Sequence, residues 1–291
     1  MSIRPHNAAL DALIGKEIPV LDHGFVRVID YMGDDSSVVQ AARVSYGSGT
    51  KGVRDDSALI RYLLSHSHTT PFEMAEIKLH VKLPIFVARQ WIRHRTASVN
   101  EYSARYSIVE DQSYAPDDVA LASQSTSNRQ GRGDTLDAQA RDKARDVIEQ
   151  GARRSYADYR ALLNEMEDGS PIDPDGVGLA RELARSVLPV SFYSQWYWKT
   201  DLHNLMHFLK LRMDMHAQWE IRQYANVISE IVAAWVPVTW KAFKDYRLES
   251  TSLSGPAFRV ITAWLKGEDV SFEGSGLSKR EWDELQVKFQ R

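Results

Sequence analysis

Four arginines, a histidine and several short polar side chains crowd residues 89–106, RQWIRHRTASVNEYSARY. Arg89, Arg93, Arg95 and Arg105 meet a single acid, Glu101, so the segment is locally +3 in a chain whose formal charge is −3. Guanidinium forks match phosphate and imide oxygens at two points, and neutral donors such as Ser98, Asn100 and Ser103 fix orientation beside them. Spacings of three and four put Gln90, Arg93 and His94 on one face of a helix. The chemistry that suits this composition is capture of a phosphorylated heterocycle. The competing reading is a salt-bridged surface helix, which the shortage of acids disfavours.

Three other segments carry candidate groups. His68, in SHTTPFE before a strand, sits where a histidine can be exposed and held; alone it also reads as a solvated loop residue. His203 and His207 share a helix face and resemble half of a zinc site, but Asn204 stands where the HExxH pattern needs glutamate, so no metal is assigned. Arg212, among Leu209, Leu211 and Met213, must find an anion or acceptor, with Asp214 or Glu220 as the structural alternative. Gly47–Gly52, GSGTKG, matches GxGxxG, yet the preceding VVQAARVSY reads as a helix rather than a buried strand, which argues against a dinucleotide fingerprint. Ser103 has no evident general base nearby and is assigned to binding.

The 291 residues contain no cysteine, which excludes disulfides, thiolate metal sites and a thiol nucleophile. With 43% apolar and 26% charged residues the composition is that of a folded globular protein, and no stretch reaches the roughly 18 apolar residues of a membrane span. A net charge of −3 gives no bulk attraction to nucleic acid or anionic membrane. A soluble, cytoplasmic protein is expected.

The elements that must position these groups follow from period and punctuation. Glu17–Ile29 reads as a strand pair or bent strand turning at Gly24, and Ser36–Val44 and Ser57–Leu64 as short helices. In Glu76–Leu83, Ile77, Leu79, Val81 and Leu83 alternate with polar residues, a strand with one wet face. A helix from Pro84 to Arg95 follows. Asp111–Thr135 is poor in large apolar residues and reads as a mobile surface loop. A long helix spans Leu136–Glu167 with an arginine-rich solvated face, DGSPIDPDG is a loop, and helix resumes through LARELARSVL. Ser191–Lys199 alternates again, with Phe192, Ser194, Trp196 and Trp198 on one face. Asp201 caps a helix to Arg212, and another runs from about Ala217 to Trp235. The expected fold class is α+β, a mixed or antiparallel sheet packed with long helices and no Rossmann domain. The expected division is a main domain over 1–248 and a helical extension over 249–291.

Residues 93–106 resemble the RHRxxSxNxxSxRY signature of the flavin-dependent thymidylate synthases, and three more segments match in order: HTTPFE at His68–Glu73, RxxLP at Arg185–Pro189 and LRxDxHAQWEIRQYA at Leu211–Ala225. The resemblance implies a homotetramer with active sites shared between subunits, FAD held without a Rossmann fold, and reductive methylation of dUMP to dTMP. The carbon would come from 5,10-methylenetetrahydrofolate and the hydride from FADH2 regenerated by NADPH. Carried over, Thr70, Arg93, His94, Arg95, Glu101, Asp201, His203 and His207 contact flavin. Gln90, Arg93, Glu101, Tyr102, Ser103, Ala104, Arg105, Arg185 and Arg212 hold dUMP, His68 lies near folate and flavin, and Arg212 is the catalytic residue that polarises the uracil ring. Met74, Asp201 and His207 depart from residues common in the family. The rival readings from the residues are a metal-dependent nucleotide hydrolase using the histidines and a nucleic-acid binding module using the Arg89–Arg105 patch.

Overall fold

The computed structural model describes residues 6–44, 55–126, 131–166 and 168–289. Its centre is a five-stranded sheet in the order β1 (Glu17–Val20), β2 (Gly24–Met32), β3 (Glu76–Pro84), β7 (Tyr193–Asp201), β4 (Ser98–Glu101), every neighbouring pair antiparallel. The remaining strands, β5 (Ala122–Gln124) and β6 (Arg132–Thr135), form a separate two-stranded sheet. The fold is α+β, and the GSGTKG segment lies outside the described residues.

Alternation decides which face is covered. Ile77, Leu79, Val81 and Leu83 are buried, as are Trp196 and Trp198, and the register sets Leu79 opposite Trp198 and Val81 opposite Trp196. Trp91 of the helix Ile85–Trp91 seals this face. Its ring lies 5.2 Å from Trp198, 5.8 Å from Trp196, 4.6 Å from Phe208 and 6.0 Å from Tyr224. One side chain thus ties the sheet to the helices Leu202–Arg212 and Trp219–Trp235. Truncating a buried tryptophan of this kind costs about 3–5 kcal/mol.

Pro84 ends β3 and begins the next helix in the same residue, and the helix's first free N–H groups are satisfied from outside. Ile85 N donates to Phe192 O at 2.9 Å and Phe86 N to Val190 O at 2.9 Å. The helix stops at Trp91, four residues before the Arg95 expected from the sequence. Residues 98–101 are drawn onto the free edge of β7, so the chain must leave the helix to reverse. Arg93 N donates to Gln90 O at 3.3 Å and His94 N to Trp91 O at 2.9 Å, a tight turn that replaces the expected helical face.

Other boundaries also differ. The long helix is Ala138–Leu163, and LARELARSVL yields one helical turn, Arg181–Ala184, followed by the 3-10 turn Arg185–Val187. Asp111–Thr135, expected as a mobile loop, carries β5 and β6 and buries Tyr114, Ala120 and Leu121. Tyr114 N donates to Ser191 O at 2.9 Å and Tyr193 N to Gln112 O at 3.0 Å, stitching the segment to the start of β7.

The chain divides into two compact units, Met1–Tyr246 and Arg247–Arg291. The second has the helices Gly255–Leu265, Phe272–Ser275 and Lys279–Phe289 around a small core of Trp264, Trp282, Val260 and Leu285. Among the described residues no helix is long and apolar enough to cross a membrane.

Candidate functional site

The tight turn after Trp91 brings His94 onto Arg212. Arg212 Nε donates to His94 Nε2 at 3.0 Å and Arg212 Nη2 to the Gln90 carbonyl at 3.3 Å. The His207 ring lies 5.9 Å from that of His94, edge on, and Phe208 lies 5.0 Å away. Burial first, then the charges of Arg212 and His207, push the His94 imidazole down to about 4. At neutral pH the ring is therefore uncharged, and because Nε2 accepts from Arg212 its proton sits on Nδ1. Burial and then the neighbouring Arg93 lower the Arg212 guanidinium from its usual value.

Arg212 is half-buried, and neither alternative partner takes it: Asp214 pairs with His216 at 2.9 Å, and Glu220 pairs with Arg132. Leu211, expected as apolar company, is itself exposed. Arg93, Arg95 and Arg212 have no ion-pair partner among the described residues, and the first two are exposed. Arg93 lies near enough to Arg212 to lower it, and two guanidiniums so placed set up a local field for an anion.

The second half of the signature occupies β4 and the turn behind it. Glu101 accepts from Ser194 Oγ at 2.6 Å. Tyr102 OH donates to Ile108 O at 3.0 Å, Ser103 Oγ accepts from Arg105 N at 3.4 Å, and Ala104 packs on the cluster of Val109, Tyr159 and Phe192. Arg105 and Arg185 are brought together by Glu182, whose carboxylate lies 3.5 Å from Arg105 Nε and whose carbonyl accepts from Arg185 Nε at 3.3 Å.

Asp201 takes both the backbone N–H, at 2.9 Å, and the side-chain amide, at 2.8 Å, of Asn204. Its carboxylate is thus committed to capping the helix that carries His203, His207 and Arg212. Thr70 opens the one-turn helix Thr70–Glu73, which packs against that same helix. His68 is exposed beside Tyr62, ring centres 5.9 Å apart. Among the described residues no group of three or more metal-ligating side chains is assembled.

Sequence reasoning missed a polar relay behind this site. Gln90 Nε2 donates to Gln218 Oε1, and Gln218 Nε2 donates to Glu220 Oε2 at 2.9 Å. Glu220, 2% exposed, also accepts from Arg132 and, at 3.2 Å, from the Tyr114 hydroxyl. Burial and the Glu220 charge push the Tyr114 phenol up, which keeps it a donor. The available signal was Glu220 itself, an acid directly beside Ile221 and Tyr224 on the apolar stripe of its helix. A cavity of about 530 Å3 opens beside this relay, lined by Phe86, Tyr114, Leu121, Arg132, Val190 and Glu220 among others, and none of the residues expected to bind flavin or nucleotide lines it.

The family model described as thymidylate synthase complementing protein matches residues 27–238. The flavin-dependent thymidylate synthase of Rickettsia typhi is 58% identical over 278 residues, covering 95% of each chain, and that of Gluconobacter oxydans is 57% identical over 285 residues, covering 98% of this chain and 91% of the relative. Among solved structures, a UMP/dUMP methylase, PolB from Streptomyces cacaoi, bound with 5-Br dUMP, superposes with a TM-score of 0.66 at 33% identity, over 79% of this chain and 99% of that one. The chain belongs to the family of flavin-dependent thymidylate synthases.

Proposed function

We propose that this protein converts dUMP to dTMP by reductive methylation at C5, with 5,10-methylenetetrahydrofolate giving the carbon and NADPH regenerating the reduced flavin. The observation that carries the reading is the Arg212–His94–Gln90 arrangement, a guanidinium oriented wholly by neutral acceptors within the matched segments. The residues fit a flavin dinucleotide. Arg93 and Arg95 offer exposed positive charge, without an ion-pair partner among the described residues, suited to a pyrophosphate, with Thr70, His203 and His207 on adjoining elements. Bound reduced flavin supplies the hydride that completes the methyl group.

Attack by C5 on a one-carbon donor needs electron density on the pyrimidine ring. A thiolate adding at C6 is one way to obtain it, and this chain has no cysteine. Arg212 instead stabilises negative charge as it develops on a ring oxygen, its position set in advance by His94 and the Gln90 carbonyl. Arg105 and Arg185, gathered around Glu182, hold the 5′-phosphate, and Ser103 and Gln90 orient the nucleotide. Glu101 is fixed by Ser194, and Tyr102 and Ala104 set the backbone of that turn. His68 is assigned to the folate and flavin side.

The exposure of Arg93, Arg95, Arg105, Arg185, Thr70 and His68 in one chain supports a homotetramer whose subunits complete one another's sites. In light scattering the purified protein will have about four times the 33.1 kDa chain mass. A cytoplasmic location suits a consumer of dUMP and NADPH.

The decisive experiment is spectroscopic and isotopic. The purified protein will show oxidised-flavin absorbance that NADPH bleaches, and with methylenetetrahydrofolate it will release the C5 hydrogen of dUMP as dTMP forms. In Arg212→Ala most turnover is lost while flavin stays bound; unchanged turnover would sink the role of Arg212. Absence of flavin bands would overturn the reading as a whole.

A further inference from the structure

We infer that the cavity beside Glu220 is a binding site for an uncharged, flat, largely apolar molecule that presents a carbonyl acceptor to Arg132, separate from the residues assigned to flavin and nucleotide.

The hollow originates in the sequence of the long helix Ala138–Leu163. Ile148, Gly151, Ala152 and Ser155 stand three, four and seven residues apart, which puts them on one helix face, and all four line the cavity. Three of the four are small, and glycine is among the poorest residues for a helix interior. A Cβ added to Gly151 would meet nothing within 4 Å, so the space is open at that point. Phe86 and Tyr114 bring two aromatic rings to the same space, 5.7 Å apart and tilted by 50°. Walls of this kind favour a flat aromatic occupant. The volume of about 530 Å3 falls within the roughly 300–1,000 Å3 of small-molecule sites.

The polar groups define the rest of the ligand. Arg132 lines the cavity, and its Nη2 donates to the buried Glu220. The other N–H groups of this guanidinium have no hydrogen-bond partner among the described residues. A guanidinium only donates, so the occupant must accept. Glu220 already balances the charge of Arg132, and a carboxylate or phosphate placed here would be a second anion beside a buried carboxylate. An uncharged carbonyl satisfies the free donors without that cost. The Tyr114 hydroxyl is spent on Glu220 at 3.2 Å, which leaves its ring rather than its oxygen for the ligand.

The test is equilibrium dialysis of the protein as purified against 2-acetonaphthalene, a neutral aryl ketone, and 2-naphthoate, its near-isosteric anion, for wild type, Gly151→Phe and Ile148→Trp. The ketone will bind wild type with a dissociation constant on the order of 100 μM, at least about tenfold tighter than 2-naphthoate. Both substitutions add bulk on the helix face that lines the cavity and will weaken the ketone at least about tenfold, while circular dichroism stays that of wild type. Saturating dUMP and methylenetetrahydrofolate will leave ketone binding unchanged. No binding to wild type overturns the inference, as when a second copy of the chain fills the cavity. Equal or tighter binding of 2-naphthoate overturns the ligand class, and unchanged binding in both variants places the ketone elsewhere. Displacement by either co-substrate overturns the separateness of the site. Should one variant fail to fold, the other carries the comparison. The ketone measurement needs neither flavin nor turnover, so failure of the proposed function would be seen apart from failure here.

Discussion

The neutral state of His94 has a consequence for stability that can be measured without any ligand. In an unfolded chain the imidazole titrates at 6.5, and in the fold it is pushed down to about 4 by burial and by the charges of Arg212 and His207. Between those two values the unfolded chain takes up a proton that the folded chain refuses, so stability falls as pH drops through 6.5 and levels off below about 4. From about pH 7.5 to about pH 5 the two values correspond to a loss of about 2 kcal/mol. The ring is only half-buried, and solvent screening reduces this to about 1 kcal/mol. In a unit of this size that moves a thermal midpoint by about 2–4 °C. His94→Asn keeps an oxygen to accept from Arg212 but has no ring to titrate. Midpoints of wild type and His94→Asn, measured at both pH values, will show the wild type losing about 2–4 °C more than the variant on acidification. Equal losses would refute the assignment of His94 as a neutral acceptor held under Arg212.

Three further outcomes follow from other contacts. Replacing Arg93 and Arg95 together by alanine removes two exposed guanidiniums that have no ion-pair partner among the described residues and will strip the flavin, read as loss of visible absorbance; a normal flavin spectrum would count against their role. At Gly24 an added Cβ would collide with the Tyr224 hydroxyl and approach Val20 O to 2.6 Å and Lys82 O to 2.8 Å, breaking the 2.7 Å bond from Tyr224 to Lys82 O. Gly24→Ala will cost about 1–3 kcal/mol in urea unfolding, and a cost near zero would mean that β1 and β2 part easily. Arg132→Ala leaves the buried Glu220 carboxylate with Tyr114 and Gln218 alone, at about 2–3 kcal/mol, reduced from the full cost of breaking a buried pair because Arg132 is partly exposed. An unchanged midpoint would show that water replaces the guanidinium.

What the residues disclosed in advance depended on how local the cause was. β3 and β7 were legible because one face of each is buried, and a period of two is the direct imprint of that burial on sequence. The Asp201 cap was legible because the carboxylate and the N–H it accepts from lie three residues apart. The end of the Ile85–Trp91 helix was not, since it is set by pairing of Ser98–Glu101 with a strand nearly a hundred residues later, and nothing in IFVARQWIRHR itself halts a helix. The 111–135 segment was misjudged for the same reason. Its composition is that of a loop, while its order comes from Tyr114, Ala120 and Leu121 and from hydrogen bonds to residues 191–193. Arg212 and His94 were both singled out from sequence, but their contact was not, because it depends on that premature helix end.

The choice of partner for Arg212 bears directly on what it can do. A guanidinium fixed by a carboxylate is well placed but largely neutralised, and a ligand then meets an ion pair whose field has been cancelled. Here orientation comes from a neutral imidazole nitrogen and a main-chain carbonyl, so the side chain is held at two points with its charge intact. The same logic separates the two nearby acids. Glu220 is buried with its own arginine, and Asp201 is spent on a helix cap, so neither discharges Arg212. For the thiol-free activation of the pyrimidine proposed above, these arrangements keep that field available. The depressed imidazole is then part of the device: a His94 that charged near 6.5 would lose its lone pair to the proton, release Arg212 Nε and set two cations against each other. Holding the ring neutral across the physiological range preserves the orientation of Arg212 and leaves its charge unopposed by a neighbouring cation.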